Sequence, residues 1–117
     1  MNYSQGRKFQ KELNGGLVGL VLLSVLGQSN EDLYGYEIAR RLASANDGTS
    51  IFKEGTIYPV LRAMSAGGFL TSRIVPSYSG PPRRYYRITE QGRAVLAEWT
   101  TIWQDTRNFV EYFLAAH

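Results

Sequence analysis

The most ordered pattern of apolar and polar positions runs from Glu54 to Leu70, EGTIYPVLRAMSAGGFL. Ile57, Leu61 and Met64 recur at helical spacing with Val60 beside them, and Gly67-Gly68 ends the repeat. Thr56, Pro59, Arg62 and Ala63 fall on the other side of that helix, with Tyr58 at the border. If Thr56 caps the helix, Pro59 is its third residue and its missing N–H costs nothing. If the helix begins near Phe52 or Lys53, Pro59 should bend it.

Upstream, Leu13–Leu26 is apolar nearly all round, which predicts a helix that must be covered on several faces. Asn14 is placed to cap its start and Gly27 to end it. Residues 1–11 form a polar arm made basic by Arg7, Lys8 and Lys11. The arm is either a frayed terminus or a leg of helix that packs on a partner or touches phosphate. After a polar turn at Ser29–Asp32, a helix is predicted over Leu33–Ala45, with Leu33, Ile38 and Leu42 as its buried stripe. Tyr34 and Tyr36 lie at its N-terminal end, where outward-pointing amides favour an anion. Asn46, Asp47, Gly48, Thr49 and Ser50 make a turn, and Ile51 and Phe52 return to the core.

After Gly68 the period changes to two. Phe69–Val75 predicts a strand, residues 76–82 a loop, and Arg83–Ile88 a returning strand. With Ile88 inward, Tyr86 is also on the core side. Arg83, Tyr85 and Arg87 share the other face, and Arg84 lies near the tip. Thr89 then caps a final helix that reaches about Leu114. Val95, Leu96, Trp99, Ile102, Trp103, Phe109, Val110 and Phe113 form its apolar stripe. About 25 helical residues span nearly 40 Å, more than the rest of a small domain can cover. A two-fold dimer through this helix and Leu13–Leu26 is therefore expected.

Composition narrows the function. The 117 residues are 44% hydrophobic and 20% charged, which suits one packed domain. With no cysteine and one histidine, His117, disulfide scaffolds, thiolate metal sites and histidine clusters within one chain are excluded. No nucleophile–base pair or carboxylate dyad stands at a suggestive spacing, so no enzyme, cofactor or metal is expected. The first residues lack an apolar signal core, and Leu17–Leu26 is about half a bilayer span. A soluble cytoplasmic chain without a membrane partner is expected. The net charge is only +3, with a pI near 9.3. From Lys53 to Arg93, however, seven residues are basic and two acidic. A basic ribbon beside an exposed helix is the electrostatic footprint of duplex DNA binding.

The fold expected is mainly α with a small β-ribbon: a winged helix-turn-helix over residues 1–88 and a C-terminal dimerisation helix over residues 89–117. The start of the Glu54 helix, with Lys53, Glu54, Gly55, Thr56 and Tyr58, would face base edges, and Arg62 would face phosphate. Two such helices in a dimer would meet successive grooves about 34 Å apart and read a pseudo-palindrome. The alternative is a winged-helix module that binds protein and not specific DNA, for which Glu54 and the proline-stiffened loop are the support.

The three stretches YGYEIARRL, EGTIYPVLRAMSAGGFL and RRYYRITEQGRAVL resemble the PadR-like transcriptional regulators, over about Leu17 to Trp103. The resemblance implies a bacterial winged helix-turn-helix regulator of the small subfamily, in which a single C-terminal helix dimerises. It implies DNA contacts at Tyr36, Glu54–Thr56, Tyr58, Arg83 and Arg84. It also implies a flat aromatic ligand held between the long helices in some members, with Trp103 at the stacking position and Trp99 one turn earlier. Gly80-Pro81-Pro82 departs from the family's Gly-rich, basic wing tip, which puts a groove-inserting tip in question.

Overall fold

In the computed structural model, residues 2–48 and 50–115 are described, and for residues 2 and 3 the backbone alone. Thr49 of the turn and His117 lie outside the described residues. The elements in chain order are α1 (Asn2–Gly27), β1 (Leu33–Tyr34), α2 (Gly35–Ser44), α3 (Glu54–Ala66), β2 (Leu70–Val75), β3 (Arg83–Ile88) and α4 (Glu90–Ala115). This is the winged helix-turn-helix with a long terminal helix that the apolar periods predict.

The core forms where the stripes meet. Val18, Leu22, Leu23 and Leu26 of α1, Ile38 and Leu42 of α2, and Ile57, Leu61 and Met64 of α3 are buried together with Phe52, Leu70, Tyr86 and Ile88. Thr56, Pro59, Arg62 and Ala63 stay exposed, and Tyr58 is half-buried, so the two sides of α3 divide as its sequence predicts. Ser4–Gly27 is long and apolar enough to match a membrane span by length and composition. Within it Val18, Leu22, Leu23 and Leu26 are buried in the core, and Leu17, Val21 and Val25 pack half-buried against it.

In five places the structure departs from the sequence reading or decides between its alternatives. First, α1 is continuous from Asn2, so the arm is the leg of helix. Asn14 is therefore no cap: from mid-helix its Nδ2 donates to the Ile51 carbonyl at 3.0 Å. Second, Leu33 and Tyr34 are not helical. They pair with Tyr86 and Tyr85 and extend the ribbon to three antiparallel strands in the order β1-β3-β2. Strand pairing satisfies their backbone on the free edge of β3, and the Glu37 carboxylate accepts the Tyr34 N–H at 3.0 Å, which starts α2 at Gly35. Third, Phe52 is buried, but Ile51 is 53% exposed and does not anchor the chain.

Fourth, of the two starts left open for α3 the structure has the earlier one: α3 begins at Glu54 with Lys53 as its cap, and Pro59 is the sixth helical residue. The Lys53 carbonyl accepts the N–H of both Thr56 and Ile57, at 2.9 and 3.1 Å, which draws the first turn tight. Pro59 then withholds the N–H that the Gly55 carbonyl would accept in a regular helix. Fifth, β2 begins at Leu70, because Phe69 belongs to the end of α3. The Phe69 N–H donates to the Met64 carbonyl at 2.9 Å and the Gly68 N–H to that of Ser65 at 3.2 Å. This closure needs a left-handed residue, and Gly68 supplies it with φ 89°.

The same bend carries α4. Thr89 Oγ1 accepts the Gly92 N–H at 2.9 Å and donates to the Gly68 carbonyl at 2.8 Å, so one hydroxyl caps α4 and ties it to the root of the wing. Gly92 is buried against the Phe69 backbone, and a Cβ there would overlap the Phe69 carbonyl oxygen. Gly92→Ala should destabilise the chain by about 2–3 kcal/mol, as overpacking does where backbone must move. Urea unfolding measures this, and an unchanged midpoint would refute the tight junction.

Candidate nucleic-acid interface

The buried stripe of α3 fixes which of its residues face out. Gly55, Pro59 and Ala63 occupy the middle of the exposed strip, and all are small. Nothing approaches the Cβ position of Gly55 within 4 Å. Such a strip lets the helix backbone come close to whatever surface it meets. Tyr58 and Arg62 border the strip on one side and Thr56 on the other.

On the Tyr58 side, α3 faces the wing across a groove of about 600 Å3. Tyr36, Tyr58, Arg62, Arg83 and Arg84 all line it, together with the Ser77–Pro82 loop. Five of the nine residues proposed from sequence for DNA are thus brought together. The Tyr58 ring packs directly over Gly35 at the start of α2. Burial, and after it the charge of Glu54, pushes the Tyr58 hydroxyl above its ordinary pKa, so it remains a protonated donor. Tyr86 lies buried in the same groove. Burial raises its hydroxyl too, against the opposing pull of Arg84 and Arg62.

Lys53, Glu54, Gly55 and Thr56 are exposed but do not join this groove. Lys53 and Thr56 face α1 on the other side of α3.

Neighbours in β3, Arg83 and Arg84 point to opposite faces of the ribbon. The Arg84 Nη1 donates to Ser72 Oγ at 3.1 Å. The Arg83 guanidinium lies 4.5 Å from the centre of the Tyr34 ring. Tyr34 in turn stacks on Tyr36 at 6.3 Å and meets Tyr85 at 5.3 Å. The Arg73 guanidinium stands over Tyr85 at 5.2 Å. This alternation of rings and guanidinium groups holds the wing against β1 and α2, with each contact worth about 0.5–1 kcal/mol when exposed.

Asp32, which the sequence reading does not single out, braces the wing. Its carboxylate accepts Arg73 Nε at 2.9 Å and also Arg87 Nε. Its side chain is only 14% exposed, whereas the two arginines are 60% exposed. Two of the basic residues counted toward the footprint therefore already have a carboxylate partner. That leaves Arg62, Arg83 and Arg84 as the wing-side cations that face the groove.

Trp99 packs edge-on to Phe69, with ring centres 6.1 Å apart, and lies against Gly19 of α1. It is part of the chain's own packing. Trp103, half-buried, lines two grooves, one of about 480 Å3 among α1, α2 and α4 and one of about 470 Å3 between α1 and α4. From Gln104 to Ala115 every residue is exposed, including Phe109 and Phe113.

A three-stranded wing, a helix-turn-helix with an outward α3 and a basic groove between them define the class of winged-helix DNA-binding proteins. Within that class, the chain belongs to the PadR-like family of transcriptional regulators, whose model matches residues 22–98. A PadR-family transcriptional regulator from Eggerthella lenta is 30% identical, with 100% of this chain and 99% of that chain covered and a TM-score of 0.77. A transcriptional regulator from Clostridium thermocellum is 27% identical, covering 87% of this chain and 97% of its own, with a TM-score of 0.78. An uncharacterised protein of Lysinibacillus sphaericus is 28% identical over 102 residues, 87% of this chain and 91% of that protein. The family and these solved neighbours are transcriptional regulators, and the chain is a DNA-binding transcription regulator.

The pairing with Arg73, then that with Arg87, holds the Asp32 carboxyl below its ordinary pKa despite the opposing effect of burial. A depressed carboxyl contributes stability above the ordinary carboxylate range and loses it as pH falls through the lowered value. Asp32→Asn should therefore be less stable than wild type at neutral pH, with the gap closing in strong acid. Denaturation midpoints across pH test this, and a gap that persists in strong acid would contradict the pairing.

Proposed function

We propose that the protein is a homodimeric repressor that binds a pseudo-palindromic operator in the cytoplasm and is released by a flat aromatic ligand. The observation that carries the DNA reading is the convergence of Tyr36, Tyr58, Arg62, Arg83 and Arg84 on one groove beside the exposed strip of α3. Arg62, Arg83 and Arg84 supply phosphate contacts and hence affinity, and the first turns of α3 supply contacts to base edges. The proline-stiffened tip places the wing's grip on its strand arginines and not on an inserted loop.

Dimerisation is supported by the uncovered half of α4. Phe109 is 66% exposed, Val110 and Phe113 are exposed beside it, and Ile102 and Leu13 continue the apolar surface towards α1. An apolar surface this continuous marks an interaction site. Residues 1–88 then carry DNA binding and residues 89–117 join the copies. Ligand release is supported by the position of Trp103, which borders both grooves beside α4, with Trp99 also lining the one between α1 and α4.

In electrophoretic shifts with duplexes from upstream of its own gene, salt-sensitive binding is expected. Arg83→Ala with Arg84→Ala should lower the salt slope by about 3.6, two phosphate contacts in each protomer of the dimer at about 0.9 each. Unchanged binding would instead favour the protein-interaction module. Tryptophan fluorescence should be quenched saturably by some planar aromatic compounds, and Trp103→Ala should abolish that response. A flat response across a broad set would remove the ligand from the account.

A further inference from the structure

The continuity of α1 places its basic residues beside α3, on the side away from the wing. Arg7 and Lys11 are one turn apart, Lys8 lies next to them, and Asn14 follows in the next turn. The bond from Asn14 to the Ile51 carbonyl ties this face of α1 to the segment just before α3. Between them runs a groove of about 800 Å3, to which Arg7, Lys8, Lys11, Lys53 and Thr56 all contribute. Among the described residues that line it there is no carboxylate. Glu12 stands one turn after Lys8, at the edge between this face and the groove by Trp99.

The opposite face of the same helix is apolar. Phe9 is 65% exposed and Leu13 39%. Leu13, Gly16 and Leu20 line the groove with Trp99 and Trp103. Basic and apolar residues are thus separated by about half a turn, so the basic face remains available when the apolar face is covered.

Thr56 borders the exposed strip of α3 on this side, and Tyr58 and Arg62 border it on the wing side. The strip is therefore flanked by two basic grooves. A duplex presents matching chemistry: its major groove is about 12 Å wide and bounded by a phosphate strand on each side.

Resting on the DNA-binding reading above, we propose that the groove between the N-terminal half of α1 and the start of α3 is a second phosphate track for duplex DNA. The wing grips one strand that bounds the major groove, and Lys8, Lys11 and Lys53 grip the other. The same helix then carries a DNA face and a face for its partner copy, so a shift of α1 within the dimer moves the track.

The test is a Lys8→Ala, Lys11→Ala double variant. Both positions are exposed and alanine is the best helix former, so the fold is retained, as circular dichroism melting checks. Anisotropy titrations use a duplex from the upstream region and a scrambled duplex over a series of salt concentrations. The salt slope of the dimer should fall by about 3.6 on both duplexes, two contacts in each protomer at about 0.9 each. The affinity ratio between the duplexes should stay unchanged, since phosphate contacts carry no sequence information. A wild-type slope in the variant overturns the proposal. If that slope persists while pelleting with phosphatidylglycerol vesicles is lost, the face is a lipid-binding one and the proposal also falls. The Arg83→Ala, Arg84→Ala variant separates the two readings. If it lowers the slope and the lysine variant does not, only the second track is wrong. If wild type binds no duplex in a salt-dependent way, both fall.

Discussion

The apolar contact between α1 and α3 governs the rest of this fold. Leu22 and Leu23 of α1 and Ile57 and Leu61 of α3 are fully buried, with Ile38 of α2 closing the layer. Each such side chain contributes about 1.5–3 kcal/mol on leaving water, so α3 has one rotational setting of low energy. That setting turns Gly55, Pro59 and Ala63 outward and puts Tyr58 and Thr56 on the two borders. The face available for DNA is thus decided by the residues that never touch it. The junction of Gly68, Phe69, Thr89 and Gly92 then sets two further directions at once, since it ends α3, roots the wing and starts α4.

Charge is distributed around that frame unequally. Asp32 occupies Arg73 and Arg87 at the base of the wing, and the tyrosine ladder holds Arg83 at its side. The ribbon is thereby braced against β1 and α2, with Arg62, Arg83 and Arg84 lining the groove. Pro59 acts in the opposite sense on α3. It removes one backbone hydrogen bond from the exposed side, where solvent substitutes most easily, and leaves the buried side of the helix intact.

Much of this was legible in the chain. Ile57, Leu61 and Met64 carry a helical period, and the alternation through Tyr86 and Ile88 carries a strand period, because burial selects residue type at those spacings. The apolar surplus of α4 was legible for the same reason, as was the Thr89 cap. What escaped notice depends on contacts distant in sequence. Asp32 meets its arginines across 41 and 55 positions, which no local pattern records. Leu33–Tyr34 is too short to show a period, and its strand state comes from the free edge of β3. Residues 1–11 are polar with a glycine, so their helix left no apolar stripe to read. The start of α3 stays open in the sequence because Thr56 is a better cap by residue type than Lys53, whose carbonyl makes the first bonds of the helix. Of the proposed site, the wing-side residues converge, while Lys53 and Thr56 belong to the other flank.

The central claim is that two copies of α3, held apart by α1 and α4, meet successive major grooves of one duplex. Hydroxyl-radical footprinting of the bound upstream region tests it most directly. The account predicts two protected blocks with centres about 10 base pairs apart, one helical turn, related by a two-fold axis. A single block, or two blocks with no symmetry between them, would contradict it.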